Sequence, residues 1–321
     1  KIMKKNKGGI CAVVVTYRPN LEKLRQLFDA LLPQVDDLIV VDNGSSDSVL
    51  AWLEHYQSTA QLRLVALGDN QGIATAQNVG IHYAKRQEAD YVILFDHDSN
   101  PAPDMVARLH AVAEAKAASG VNVAAVGPRY LDERRDNPPP FIQIVGLRVI
   151  RQPCTCGDSV VDVDYLIASG CLMPMQTLDI VGPMKEELFI DYVDIEWGLR
   201  AKTKGYQSFG ACGALMGHDL GDEPFHFFGR KYPSHSALRH YYHFRNAIWM
   251  YRQSWIPIHW KFTDGYRLVL KYGFYTLFAK PRWRHCWMMT VGMVHGLFGR
   301  MGVMEADFVA LPVRPRIAVL M

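Results

Sequence analysis

Tyr91-Val92-Ile93-Leu94-Phe95-Asp96-His97-Asp98 is an apolar run that breaks abruptly into two acids one residue apart. A run this short, without polar alternation, reads as a strand buried on both faces. The stretches upstream repeat the design. Ile10–Val15 ends in Thr16-Tyr17-Arg18-Pro19, Asp37–Val41 ends in Asp42-Asn43-Gly44-Ser45, and Leu62–Leu67 precedes Asn70-Gln71-Gly72. Helical patterns separate them: Leu21, Leu24, Phe28 and Leu31 share one face, a helix is expected from an N-cap at Asp47, and others over 72–87 and 103–118. Val121–Val126 reads as a fifth strand. Strand and helix in alternation predict an α/β fold with a mostly parallel central sheet, covered on both faces. Ligands of such a sheet sit at the carboxyl ends of its strands, where the polar clusters fall.

After about residue 128 the pattern changes. Pro138-Pro139-Pro140 marks a loop, 141–173 reads as shorter strands of mixed direction, and a helix over 191–204 stops at Gly205. From 234 to 300 the chain reads as helical and unusually aromatic.

Composition narrows the class. With 49% apolar and 21% charged residues over 321 positions, the chain can bury a sizeable core and is not disordered. Net charge is only +3, yet residues 230–300 hold twelve Lys or Arg against one acid, Asp264. A basic, aromatic third on an acidic body points to a surface facing phosphates, in nucleic acid or anionic lipid. An aromatic helical core packed on the α/β body or a second subunit is the plainer alternative. No aromatic RNA-binding strand pattern is present, so nucleic acid is not expected as a partner. Six scattered cysteines, with Cys154 and Cys156 as a lone C-x-C, lack zinc-ligand spacing and read as reduced thiols. No apolar stretch approaches the ~20 residues that span a bilayer.

Five clusters could carry chemistry. Asp96 and Asp98 leave a strand end in alternation and can aim two carboxylates near one point, a hard oxygen site for Mg²⁺ or Mn²⁺; a simple turn is the alternative. Asp42 can hydrogen-bond a base or ribose edge, unless Asn43-Gly44 is only a turn. Thr16 and Tyr17 offer a hydroxyl and a ring, and Asn70, Gly72 and Asn78 a glycine-opened helix start near a phosphate or sugar. Asp191 and Asp194 fall three apart on an expected helix, where one could act as a general base; spacing does not choose between them. His218 is a metal or phosphate ligand only if its surroundings make it one.

Taken in order, these segments resemble the inverting, GT-A-type glycosyltransferases of family 2, together with Ser169-Gly170-Cys171 and Asp194-x-Glu196-Trp197. Within that family, Phe189–Trp197 and Leu238-Arg239-His240-Tyr241-Tyr242 with Arg245-Asn246 are most like bacterial rhamnosyltransferases of cell-surface polysaccharide synthesis. The resemblance covers about residues 10–290. It implies a nucleotide-diphospho-sugar transferase fold: a catalytic domain over 1–230 (nucleotide half 10–127, acceptor half 128–230), a basic aromatic helical layer over 231–300, and a tail over 301–321. It assigns Asp194 as catalytic base, Asp98 with Asp96 and His218 to the metal, and Thr16, Tyr17, Asp42, Asn43, Asn70, Gly72, Asn78 and Gly170 to the donor. Asp191, Trp197, Arg239 and Arg245 would meet the acceptor. The implied donor is dTDP-rhamnose and the acceptor a saccharide or polyprenyl-linked saccharide at an anionic membrane, on its cytoplasmic face. A UDP-hexose donor is the nearest alternative. A sugar-1-phosphate nucleotidyltransferase lacks its glycine-rich loop here, and a non-catalytic nucleotide-sugar binder is the remaining reading. One departure stands out: Val193 occupies a position where many relatives carry an acid, removing a charge expected to raise the Asp194 pKa.

Overall fold

The computed structural model describes residues 9–59, 62–131, 141–218, 225–227, 230–232 and 235–304. The first half runs β1 (Ile10–Thr16), α1 (Leu21–Leu31), β2 (Asp37–Asp42), α2 (Asp47–Thr59), β3 (Leu62–Ala66), α3 (Ile73–Arg86), β4 (Tyr91–Asp96), β5 (Ser99–Pro101) and α4 (Met105–Ala118). Then follow β6 (Val123–Leu131), β7 (Phe141–Val145), β8 (Arg148–Gln152), β9 (Val160–Val163), β10 (Cys171–Pro174), α5 (Met175–Val181), a 3₁₀ turn at Glu186–Leu188, α6 (Val193–Thr203) and β11 (Gln207–His218). A short pair, Phe225–Phe227 with Arg230–Tyr232, precedes α7 (Ala237–Arg252), α8 (Ile258–Phe278) and α9 (Arg282–Phe298).

The sheet order is β3-β2-β1-β4-β10-β6-β11-β5, with β9 also on β11. β1, β2, β3 and β4 are mutually parallel, as expected for apolar runs buried on both faces. The alternation is visible along β1: Cys11, Val13 and Val15 face α3, α5 and α6, while Ile10, Ala12 and Val14 face α1, α2 and α4. Asn20 caps α1 by accepting from the amides of Glu22 and Lys23. Asp47 is the first helical residue of α2 rather than its cap.

The strand after α4 is separated from β4 by β10, which inserts antiparallel between them, pairing Cys171 with Leu94 and Leu172 with Val126. Two expectations need correction. Asp191 is not on a helix with Asp194: Asp191 and Tyr192 sit at φ +62° and +66°, and α6 begins only at Val193. Cys154 and Cys212 form a disulfide tying the segment before β9 to β11, whereas Cys11, Cys156, Cys171 and Cys286 are free. Partners 58 residues apart carry no motif spacing, so sequence reading could not see the pair.

The C-terminal helices are docked. α6 presents Val193, Trp197 and Ala201 to the sheet, and Tyr192 and Leu199 to a second core with Phe244, Met250, Trp260 and Met289. α9 lies against α7 at backbone distance, because a Cβ on Gly292 or Gly296 would collide with the carbonyls of Tyr241 and Arg245.

Candidate active site

At the end of β1 the buried Thr16 hydroxyl donates to Asp42 Oδ1 at 2.8 Å. Asp42 Oδ2 accepts from the amides of Gly44 (3.2 Å) and Ser45 (2.9 Å), so one carboxylate both joins two strand ends and shapes the turn beyond them. Asn43 then clamps the next loop: its Nδ2 donates to Asn70 Oδ1 at 3.1 Å, and its Oδ1 accepts from the Gln71 amide at 2.8 Å. Tyr17 remains at the surface of this crevice, with the Arg18 guanidinium 5.1 Å from its ring. Thr16, Tyr17, Asp42, Asn43 and Asn70 are therefore brought together as expected.

Two members of the donor set turn elsewhere. Gly72, at φ +89°, leaves room for the backbone of Phe189, which a Cβ would meet within 2.9 Å. The close approach is to the chain itself, and it lets the Ile73 amide donate to Phe189 O at 2.8 Å. Asn78 gives its Nδ2 to Met184 O (2.9 Å) and Glu186 Oε1 (2.8 Å) and accepts from the Met184 amide (2.8 Å). It pins the segment before α6 instead of a nucleoside. Its partners are 106 and 108 residues away, beyond any local reading.

Asp96, His97 and Asp98 lie half-buried where β4 ends. Ser169 organises this edge, accepting from the Asp96 amide at 3.1 Å and meeting the Ser99 hydroxyl at 2.6 Å. The Tyr130 hydroxyl donates to Ser169 O at 2.5 Å, and Gly170 N to Leu94 O at 2.6 Å. Gly170 contacts the sheet rather than opening it, its backbone at φ +72° lying against Pro128 and Met216. The β11–β5 register sets His218 opposite Ser99, one position from Asp98; the His218 side chain lies outside the described residues.

Asp194 lies in the first turn of α6. It borders a small cavity with Leu94, Leu166, Cys171, Met173 and Trp197. Burial among these groups pushes its carboxyl from 3.8 up to about 6, and the charges of Asp191 and Asp96 add to the shift, against a hydrogen bond from the Ile195 amide at 2.9 Å. Although Val193 carries no charge, burial and those two more distant acids raise the pKa without it. Asp96 lies near enough for its charge to be felt at Asp194.

The four acceptor candidates divide. Asp191 and Arg239 pair at 3.1 Å, partly exposed, at the mouth below α7. Trp197 and Arg245 are interior. Trp197 is buried, its indole N–H donating to Gly182 O at 2.9 Å. Arg245, fully buried, donates to the carbonyls of Gly302 (2.5 Å), Glu187 (3.1 Å) and Leu188 (3.0 Å) and lies over the Tyr242 ring at 4.8 Å. Asn246 adds bonds to the carbonyls of Leu188, Ile190 and Asp191 at 2.8–2.9 Å. These two residues hold a strained approach to α6: Phe189 (φ +65°) forms a γ-turn in which the Ile190 amide donates to Leu188 O at 2.7 Å, followed by left-handed Tyr192. Asp264, the one acid of residues 230–300, also belongs here. It accepts from the hydroxyls of Tyr192 (2.8 Å) and Tyr251 (2.6 Å), tying α8 to the turn that carries Asp194. No glycine marks these positive φ values, so the sequence held no signal for them.

A parallel sheet with carboxylates at its strand ends, and a raised carboxyl near enough to feel the charge of Asp96, is the arrangement of a nucleotide-sugar transferase. The family profile "Glycosyl transferase family 2" matches residues 11–163, and the chain belongs to that family; it is a glycosyltransferase of GT-A fold. It is 34% identical over 253 residues to the dTDP-rhamnosyl transferase RfbF of Shigella flexneri, spanning 78% of this chain and 82% of that one. Among solved structures it superposes on S. aureus TarS 1-349 with a TM-score of 0.56 at 14% identity, covering 91% of this chain and 82% of TarS. GalNAc-T7, solved with UDP, GalNAc and Mn²⁺, gives 0.57 at 13% identity over 77% of this chain and 48% of that longer protein.

Proposed function

We propose that this enzyme transfers L-rhamnose from dTDP-rhamnose, with inversion, to a saccharide or polyprenyl-linked saccharide of a bacterial surface polysaccharide. The 34% identity to a dTDP-rhamnosyl transferase supports the donor. The Asp194 carboxyl, raised to about 6 chiefly by burial and near enough to feel the charge of Asp96, is the observation that carries the chemistry. The acceptor hydroxyl attacks the anomeric carbon as the bond to the diphosphate breaks, and Asp194 takes the hydroxyl proton. A carboxylate with a pKa near 6 is ionised at neutral pH yet a better proton acceptor than an ordinary aspartate. A single raised carboxyl among the described residues favours a single displacement. Thr16, Asp42, Asn43 and Asn70 frame the pocket for base and ribose, and Tyr17 offers its ring. Asp191 and Arg239 frame the acceptor mouth.

Asp98 and Asp96 form a hard donor set of the kind that suits Mg²⁺ or Mn²⁺, with His218 one register position away. Among the described residues no three potential ligands gather, so oxygens of the donor diphosphate would complete the coordination. Such an ion neutralises charge growing on the leaving diphosphate. Nucleotide-sugar donors place the reaction on the cytoplasmic side of the membrane. The Cys154–Cys212 disulfide is the one feature that runs against that placement.

The test combines donor choice with the base. Thermal shifts with dTDP-rhamnose, UDP-hexoses and GDP-sugars, with and without Mn²⁺, should favour dTDP-rhamnose by mass action. Asp194→Asn should keep that shift and lose roughly 10²–10⁴-fold in transfer rate. Preference for a UDP-hexose overturns the donor; normal turnover in Asp194→Asn overturns the base.

A further inference from the structure

Of the 21 residues of α8 only Trp260 and Leu268 are buried. Its one carboxylate turns inward, Asp264 accepting from the hydroxyls of Tyr192 and Tyr251, while Lys271, itself exposed, lies 3.0 Å from His243 Nε2. Trp260, Leu268, Tyr272 and Tyr275 pack inward, but a second apolar set turns out: Ile258, Phe262, Tyr266, Val269, Leu270 and Leu277 are 55–71% exposed. Their four-residue spacing makes one stripe along the helix. α9 extends it with Trp283, Trp287, Val294 and Phe298, the last 73% exposed. The β7–β8 hairpin, packed on α8 through Ile144, adds Leu147 at 69% exposure. An apolar surface this continuous marks an interaction site.

Charge identifies the occupant. Arg267, Lys280, Arg282, Arg284 and Arg300 are exposed around this surface. Between residues 235 and 304 the sequence has one acid, Asp264, whose carboxylate is turned into the protein. A second copy brought face to face would set cation against cation. An anionic bilayer supplies both missing partners, acyl chains for the stripe and headgroup phosphates for its rim, with Trp283 and Trp287 suited to the boundary. No helix among the described residues is long and apolar enough to cross a membrane, which fits attachment in the interfacial plane.

We infer that the outer face of α8 and α9 is a docking surface for an anionic lipid bilayer. Because Asp264 joins α8 to Tyr192, docking would hold the Asp194 crevice close to the lipid, where a lipid-linked acceptor lies. The inference does not depend on which sugar is transferred.

Flotation of the full chain with vesicles of phosphatidylcholine, alone or mixed with phosphatidylglycerol, tests it. The chain should float with the mixed vesicles, and added salt should weaken binding. Val269→Glu/Leu270→Glu should cut the bound fraction at least about tenfold. Both side chains are exposed, so melting temperature and its shift with nucleotide sugar should not change. Lys280→Gln/Arg282→Gln/Arg284→Gln should remove most of the salt sensitivity. Failure to float with either vesicle, or equal flotation of the Val269→Glu/Leu270→Glu chain, overturns the inference. A dimer in sedimentation that the same pair of substitutions dissociates also overturns it, by showing a self-interface. An intact nucleotide-sugar shift in any of these cases leaves the catalytic proposal standing.

Discussion

The strand-end edge of β1–β4 and the helical layer of α7–α9 handle polarity in opposite ways. At the strand ends the apolar runs are buried on both sheet faces, and polar groups emerge only where the strands stop. In α8 the carboxylate of Asp264 is held inside and much of the apolar surface faces out. The first arrangement makes a crevice whose shape is fixed by short bonds such as Thr16 to Asp42 and Asn43 to Asn70. The second makes a surface, and its inward carboxylate reaches the left-handed turn before Asp194. Asp194, the proposed base, is thus supported from two sides: by the sheet-side core and the end of α5 through Trp197, and by the helical layer through Arg245, Asn246 and Asp264. On that proposal the helical layer frames the site.

That reading breaks first at Arg245. If the layer were an appendage, Arg245→Leu would cost little; if it holds the turn, three carbonyls lose a charged donor in the interior. Urea unfolding should show a loss of about 4 kcal/mol. Loss below about 1 kcal/mol would separate the layer from the turn.

The next effect is that of the Asp194 proton. Its folded pKa of about 6 exceeds 3.8, so the folded state holds the proton more tightly than the unfolded chain. That contribution is fully present below about 3.8 and is lost as pH rises through about 6, amounting at most to about 3 kcal/mol. Asp194→Asn should therefore raise stability at pH 7.5 and leave it nearly unchanged at pH 3.5 (both pH values of about that size). In the parent enzyme kcat/KM should fall about tenfold per unit below pH 6. A pH-independent difference in stability between the two proteins would remove burial as the cause of the shift.

The smallest effect sharpens the link between layer and base. Tyr192→Phe removes one of the two hydroxyls on Asp264 and should cost about 1 kcal/mol. It should also lower kcat more than it raises KM, because the hydroxyl positions the turn and touches no ligand. Equal change in both parameters would show that Tyr192 meets substrate directly.

The strand-end acids were legible because their signal is local: an apolar run fixes the strand, and the residue after it must lie at the sheet's carboxyl edge. Asp42, Asp96 and Asp98 follow from that alone. Asp194 was legible only through the ordered set of motifs, since spacing left Asp191 equally eligible. Gly72, Asn78, Trp197 and Arg245 each look polar or permissive locally, yet in the fold each meets a partner that is distant in the chain or is backbone. A carbonyl acceptor has no sequence identity. The inserted β10, the Cys154–Cys212 pair and the direction of α8 were hidden for the same reason.

By itself, then, the sequence determined the alternation of strands and helices, the acids at the strand ends and the family, because each depends on contacts within a few residues or on motif order. Only tertiary packing decided which face of α8 meets water, why Asp194 is raised without an acidic neighbour, and which candidate side chains reach the crevice. Those outcomes depend on desolvation and on partners contributed by other elements, and neither quantity is written at the position it affects.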